Sequence, residues 1–143
     1  MLGITLDQAR AIIVGAFAKG AAEKLKPLAV IVLDAGGHTT AFERQDGASA
    51  MRYKIAHGKA YGAIAMGLGS RALYERVQKQ AYFLDAMNAL ADGALVPVPG
   101  GVLIRDSAGN LLGAVGVTGD NSDNDEMCAV AGIEAAGLVA DTG

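Results

Sequence analysis

Few side chains in this chain of 143 residues combine reactive chemistry with a telling position. The second of its predicted helices holds the densest set. Tyr53, His57 and Tyr61 recur there at i, i+4 and i+8, which makes one polar-aromatic ridge along a helix. The ridge is expected to pack against a partner subunit. Lys59 lies four residues after Ile55 and four before Ala63, so it projects near the apolar stripe of the same helix rather than opposite it. Two arrangements fit a lysine there: the stem lies along the core with its head in solvent, or the side chain lines a cavity and pairs with an anion. The expectation is the first.

His38 opens a predicted strand just after a glycine turn, and two-residue alternation puts Phe42 and Arg44 on its face. A metal centre needs three or four convergent ligands, and two histidines with the single Cys128 at no motif spacing do not supply them. Haem differs, because one axial ligand can suffice and a flat apolar cleft provides the remaining affinity. No CxxCH occurs, so covalent haem attachment is excluded. No GxSxG elbow supports a hydrolytic triad; Ser70 follows a glycine but lacks the second one.

Three further motifs have structural readings. Gly67-Leu68-Gly69-Ser70-Arg71-Ala72 matches the GxGxxA dinucleotide fingerprint, but that motif works only after a strand, and the residues before it are helical in pattern. It reads as a break between helices. Gly113, Gly116 and Gly119 fall every third residue in a strand, which denotes bulges or the close approach of another chain or a ligand. The acidic run from Asp120 to Glu126 misses calcium-loop spacing. Asp123 with Glu126 reads there as a helix N-cap pair, with a weak cation site as the alternative.

The elements that must position these residues follow from the pattern. Thr5-Leu6-Asp7-Gln8 is a capping box, and Leu6, Ala9, Ile13, Ala16 and Phe17 continue at helical spacing to about Leu25. Residues 28–33 form a buried strand that turns at Ala35-Gly36-Gly37 into a return strand from His38 to Arg44. Ser49 can cap a helix running to about Met66, followed by helical stretches over about 70–80 and 82–91. After the Val96–Gly101 proline loop, residues 102–105 and 111–117 make a second hairpin, and a last helix runs from near Asp123 to near Val139. Strands in adjacent pairs joined by short turns imply an antiparallel sheet with helices packed on it, an α+β class.

Composition bounds the function. The chain is 52% hydrophobic and only 19% charged, against about 25% charged in ordinary soluble domains, which rules out disorder. No window reaches the ~18–20 uninterrupted apolar residues of a membrane span. A soluble single domain over residues 1–143 is expected, with part of its apolar surplus buried between subunits. The small-residue face Ala129, Gly132 and Ala136 favours close packing, either of a helix covering the sheet or between subunits. Twelve Lys and Arg against fifteen Asp and Glu give a net charge of −3, with no basic stripe and no Trp, so a nucleic-acid binder is disfavoured. The segment from Met1 to Asp7 lacks a basic region followed by an apolar one, so a cytoplasmic location is expected.

Several of these segments, in order, resemble the GlcG/HbpS-like family, which includes the C-terminal domain of PduO-type corrinoid adenosyltransferases. They are residues 32–38 (VLDAGGH), 42–48 (FERQDGA), 55–60 (IAHGKA), 99–102 (PGGV) and 113–119 (GAVGVTG). The resemblance implies an antiparallel five-stranded sheet flanked by helices, similar to profilin and PAS-like scaffolds. It also implies a homo-oligomer, often an octamer, and haem as a cofactor in some members, with a haem-degrading role assigned to the family. His38 sits in the glycine turn of the first matching segment and is the candidate axial ligand. Arg44, Asp46, Lys59, Gly100 and Gly101 fall on matching positions and are expected to line a pocket between hairpin, second helix and proline loop, with Arg44 and Lys59 as propionate or carboxylate partners. The leading function is thus an oligomeric domain binding haem or a related tetrapyrrole, or a smaller anion. The alternative is an enzyme or accessory protein acting on a small hydroxy- or keto-acid, with Lys59 or His57 as acid-base and Arg44 as carboxylate anchor. A scaffold serving assembly alone is the third.

Overall fold

The Thr5 hydroxyl accepts from the Gln8 amide at 3.1 Å while the Gln8 side chain accepts from the Thr5 amide at 3.0 Å, so the capping box starts helix α1 (Leu6–Ala22) as its residue types require. The computed structural model describes residues 3–143; Met1 and Leu2, where the reading of the leader began, lie outside them. After α1 come β1 (Ala29–Asp34), β2 (Thr39–Arg44), α2 (Arg52–Met66), α3 (Ser70–Leu90), β3 (Gly101–Arg105), β4 (Leu111–Thr118), α4 (Ser122–Ala135) and β5 (Val139–Asp141). The strands form one antiparallel sheet in the order β2-β1-β4-β3-β5, an α+β architecture.

Alternation along the strands divides the core in two. Val30, Val32, Val102, Ile104, Val115 and Val117 face α1 and α4, meeting Ile12, Ile13, Cys128 and Ile133. Ile31, Leu33, Leu103 and Ala114 face α2, meeting Ala56, Ala60 and Ala63. The α2 layer is thin because its backbone rests almost on the sheet. A Cβ placed on Gly116 would lie 2.0 Å from the Ala56 carbonyl oxygen, and one on Gly101 would lie 2.1 Å from that of Lys59. The glycine-rich strand therefore accommodates the chain's own helix.

The pairing of β1 with β2 slips by one residue, from Val32↔Ala41 to Leu33↔Thr39. This β-bulge flips the alternation, so the expectation that His38, Phe42 and Arg44 share a face fails. Phe42 packs into the α2 layer, whereas His38 lines a cavity with Ile4, which belongs to the α1/α4 layer.

Other boundaries also differ. Helix α2 begins at Arg52 behind Met51 and has no side-chain cap, so Ser49 contributes only a carbonyl that accepts from the Arg52 amide. The two stretches expected at about 70–80 and 82–91 are both present: α3 is a pair of helices meeting at Gln80, whose φ of −141° and ψ of 58° are not helical. The last helix stops at Ala135 because Gly137, at φ +77°, donates to the Glu134 carbonyl while Leu138 donates to that of Ile133. This left-handed glycine stop frees Val139 to start β5, a strand that the helical reading had absorbed. Asn121, rather than the Asp123–Glu126 pair, caps α4 by accepting from the Asn124 amide at 2.8 Å. The small face of α4 is occupied by α1, since a Cβ on Gly132 would lie 2.4 Å from the Ile12 carbonyl oxygen. Among the described residues no helix is long and apolar enough to cross a membrane.

Candidate functional site

The inward positions of α2 are spent on the sheet, which leaves Tyr53, Lys54, His57 and Tyr61 facing outward or along the side. The predicted ridge is real. The His57 and Tyr61 rings stack at 5.6 Å with 11° between planes, and Tyr53 and His57 lie 6.2 Å apart at 31°. Phe42 of the edge strand meets Tyr53 edge-on at 4.8 Å and 88°. The four rings form a continuous ladder whose members fix one another's orientation.

Beside this ladder lies a cleft of about 430 Å³ lined by Tyr53, Lys54, His57, Asp92, Gly93, Ala94 and Val96. Its second wall is the segment that follows α3. That segment is held against α2 by a hydrogen bond from the Val96 amide to the Gly58 carbonyl (3.2 Å). The close approach depends on residue 58 being glycine, because a Cβ there would fall 2.4 Å from Val96 Cγ2 and 3.1 Å from the Ala94 oxygen. Among the described residues, the side chains of Tyr53, Lys54, His57 and Asp92 take part in no hydrogen bond or ion pair. Sequence reasoning found the ridge but missed Lys54 and the 92–96 wall, which approach only through tertiary packing.

Lys59 points the other way. It is 2% exposed and donates to Asp125 Oδ2 and to the Val117 carbonyl, each at 3.0 Å. Asp125 is 1% exposed, and its Oδ1 accepts from the Asp120 amide at 3.0 Å. The expectation that the ammonium reaches solvent is therefore corrected: the small residues of α2 leave no path outward, and an anion awaits it inside. Burial pushes the Lys59 ammonium below its ordinary range and the Asp125 carboxyl above its own, while their mutual attraction opposes both shifts. Asp125 was missed although it carried a signal, for it shares the apolar face of α4 with Cys128 and Ala129. Gly100 and Gly101 abut Lys59, and the Gly101 amide donates to Ser70 Oγ at 2.7 Å. Lys59, Gly100 and Gly101 thus meet, but as buried framework. His57 and Lys59 face different surroundings and form no joint acid-base centre.

His38 occupies the β1–β2 turn, with its side chain 82% exposed. Asp34 Oδ1 accepts from the Gly36 amide (2.9 Å) and the His38 amide (3.0 Å), and lies 3.2 Å from His38 Nδ1. The hydrogen bond from the His38 amide, then that from Gly36 and from the imidazole, hold the Asp34 carboxyl below its usual range. A carboxylate can only accept, so Nδ1 is the donor in this contact, and Nε2 is the ring nitrogen without a partner among the described residues. The ring borders a cavity of about 320 Å³ with Gly3, Ile4, Ala35, Gly36 and Thr40. Arg44, at the other end of β2, donates to the Ala48 carbonyl, and Asp46 is exposed in the turn that follows. The five residues expected to line one pocket thus fall in two places, Arg44 with Asp46 and Lys59 with the two glycines, and His38 stands apart from both.

The chain as a whole is similar to known proteins. Residues 4–134 match the family model described as haem degrading protein HbpS-like. An uncharacterized 15.0 kDa protein from the dhaT-dhaS intergenic region of Citrobacter freundii is 30% identical over 103 residues, covering 72% of this chain and 71% of that one. Among solved structures, a PduOC:heme complex superposes with a TM-score of 0.85 at 24% identity, covering 96% of this chain and 97% of that one, a likeness of fold. A double mutant of Streptomyces reticuli HbpS superposes with a TM-score of 0.78 at 25% identity, covering 94% and 87% of the two chains.

Proposed function

This chain belongs to the HbpS-like family, and from that premise we propose that it is a homo-oligomeric domain binding haem or a related tetrapyrrole through His38. The observation that carries the reading is the His38 imidazole, exposed, held at Nδ1 by Asp34 and presenting a free Nε2 beside an open cavity. A carboxylate that accepts from the far ring nitrogen and fixes ring orientation is the usual companion of a metal-bound histidine. The family description and the haem complex of a neighbour with the same fold support the same reading.

The residues fit one axial ligand and one flank of the ligand. A porphyrin is larger than the cavity at His38, so its other face would rest on a second copy of the chain. Exposed Tyr74, Tyr82 and Leu90 along α3 supply apolar surface for such an assembly. When bound, the iron would supply redox and Lewis-acid chemistry, and His38 is the residue that would hold it. Lys59 stays with Asp125 in this reading, and Arg44 lies on the opposite face of the sheet, so either propionate would meet solvent or another copy.

Titration of the purified protein with haemin, followed in the Soret band, tests this. A saturable shift that His38→Ala abolishes or alters is expected, together with elution above monomer size on gel filtration. An unshifted Soret band, or one indifferent to His38→Ala, would remove His38 from the role.

A further inference from the structure

We propose that the cleft between α2 and the 92–96 segment is a second, independent binding site, for a small planar aromatic carboxylate. Its four polar side chains make no hydrogen bond or ion pair among the described residues. Arg71, beside Pro99, is taken by Asp123 and Glu126; Arg52, beside Gly119, donates to Thr118; His38 is tied to Asp34. The cleft at Tyr53 instead gathers a phenol, an ammonium, an imidazole and a carboxylate with no partners among the described residues. A few polar side chains around an otherwise apolar hollow are the mark of a ligand site.

The shape and charge narrow the ligand. The Tyr53 and His57 rings form one wall, braced by Phe42 at one end and Tyr61 at the other, so they offer π faces already in place. Val96 and Ala94 make the facing wall apolar. About 430 Å³ lies at the small end of the roughly 300–1,000 Å³ span of ligand pockets, which suits one ring or two fused rings. Lys54 is the point charge for a carboxylate, and Asp92, on the loop side, accepts from a ring N–H or O–H. A hydroxylated or N–H-bearing aromatic acid satisfies all four groups.

The probes are 4-hydroxybenzoate and indole-3-carboxylate, titrated into the full chain and followed by protein NMR. Saturable shifts at Tyr53, His57, Ala94 and Val96 are expected, with cyclohexanecarboxylate, of equal charge but no π face, binding several-fold more weakly. Tyr53→Leu and His57→Leu should each weaken binding about two- to ten-fold, the usual value of an aromatic contact. Lys54→Met should weaken it several-fold, and His38→Ala should leave it unchanged, so this site and the haem reading fail separately. All four positions are at least partly exposed, and circular dichroism verifies the fold of each variant. The proposal is overturned if neither probe saturates by about 10 mM, well above the ~1 mM that a mere 4 kcal/mol of binding gives. It is equally overturned if cyclohexanecarboxylate binds as well, if Lys54→Met has no effect, or if the shifts map to the His38 turn.

Discussion

Replacing Lys59 by Met removes the cation but keeps the volume, and it strands Asp125 as a carboxylate with 1% exposure. Removing one partner of a buried pair destabilises a protein by about 3–5 kcal/mol, a large share of the roughly 5–15 kcal/mol that holds a domain folded. With a urea slope of about 2 kcal/mol/M, the unfolding midpoint should fall by roughly 2 M. The loss should also depend on pH in a definite sense. Asp125 is already pushed above its usual range by burial, and without the ammonium it rises further. Below the unfolded value near 3.9 the group is protonated in both states and the deficit vanishes; above it the deficit grows by about 1.4 kcal/mol per pH unit until the raised folded value is passed. The variant should therefore approach wild-type stability as the pH drops from 7 toward 4. Adding Asp125→Asn should recover at least half the loss at pH 7, because a neutral side chain there still accepts from the Asp120 amide. Urea melts by far-UV circular dichroism and tyrosine fluorescence, in a chain with four Tyr and no Trp, measure all of this. A deficit under about 1 kcal/mol, a deficit equal at both pH values, or no recovery in the double variant would refute a structural ion pair.

Other expectations follow from the same geometry. Gly58→Ala drives a methyl into Val96 at 2.4 Å; it should cost about 1–3 kcal/mol and displace the 94–96 segment, seen as shifted Ala94 and Val96 resonances, whereas an unchanged spectrum would contradict the packing. Gly116→Ala, with its Cβ 2.0 Å from the Ala56 oxygen, should lift α2 from the sheet by more than side-chain adjustment can absorb, and a stable, soluble variant would show the seat to be looser than described. Asp120 accepts from the Asn124 side chain and from the Lys26 and Asn121 amides, which lowers its carboxyl to about 2. A lowered carboxyl stabilises the fold above its unfolded value and loses that contribution as pH falls through about 2. The Asp120 carboxyl carbon should titrate near 2, and a midpoint at or above its ordinary 3.8 would dissolve the network.

Much of the fold was legible because its signals are local. The Thr5–Gln8 box, the two hairpins and the stacking of Tyr53, His57 and Tyr61 along one helix each depend on residues a few positions apart, and each is formed. What failed depends on backbone state or on distant partners. A bulge between Thr39 and Ala41 leaves no mark in alternation, yet it turns His38 away from Phe42 and Arg44. Gly137 stops α4 in a stretch whose apolar spacing continues unbroken. Asp125 lies 66 residues from Lys59, so only the apolar neighbours of each could hint that the two charges answer one another. The candidate site suffered most for this reason. His57 was visible as a ring on a helix, whereas the wall that makes a cleft of it arrives from beyond α3.

The glycine seat of α2 also divides labour around that helix. Its inner arc touches strand backbone at Gly101 and Gly116, so almost any change at Ala56, Ala60 or Ala63 is felt throughout the fold. Its outer arc of Tyr53, Lys54 and His57 bears no such burden, while Tyr61 packs against the core beneath. Selection can therefore rewrite the recognition surface without renegotiating the scaffold, and a library randomised at positions 53, 54 and 57 would explore new specificities on a helix whose placement is guaranteed from behind.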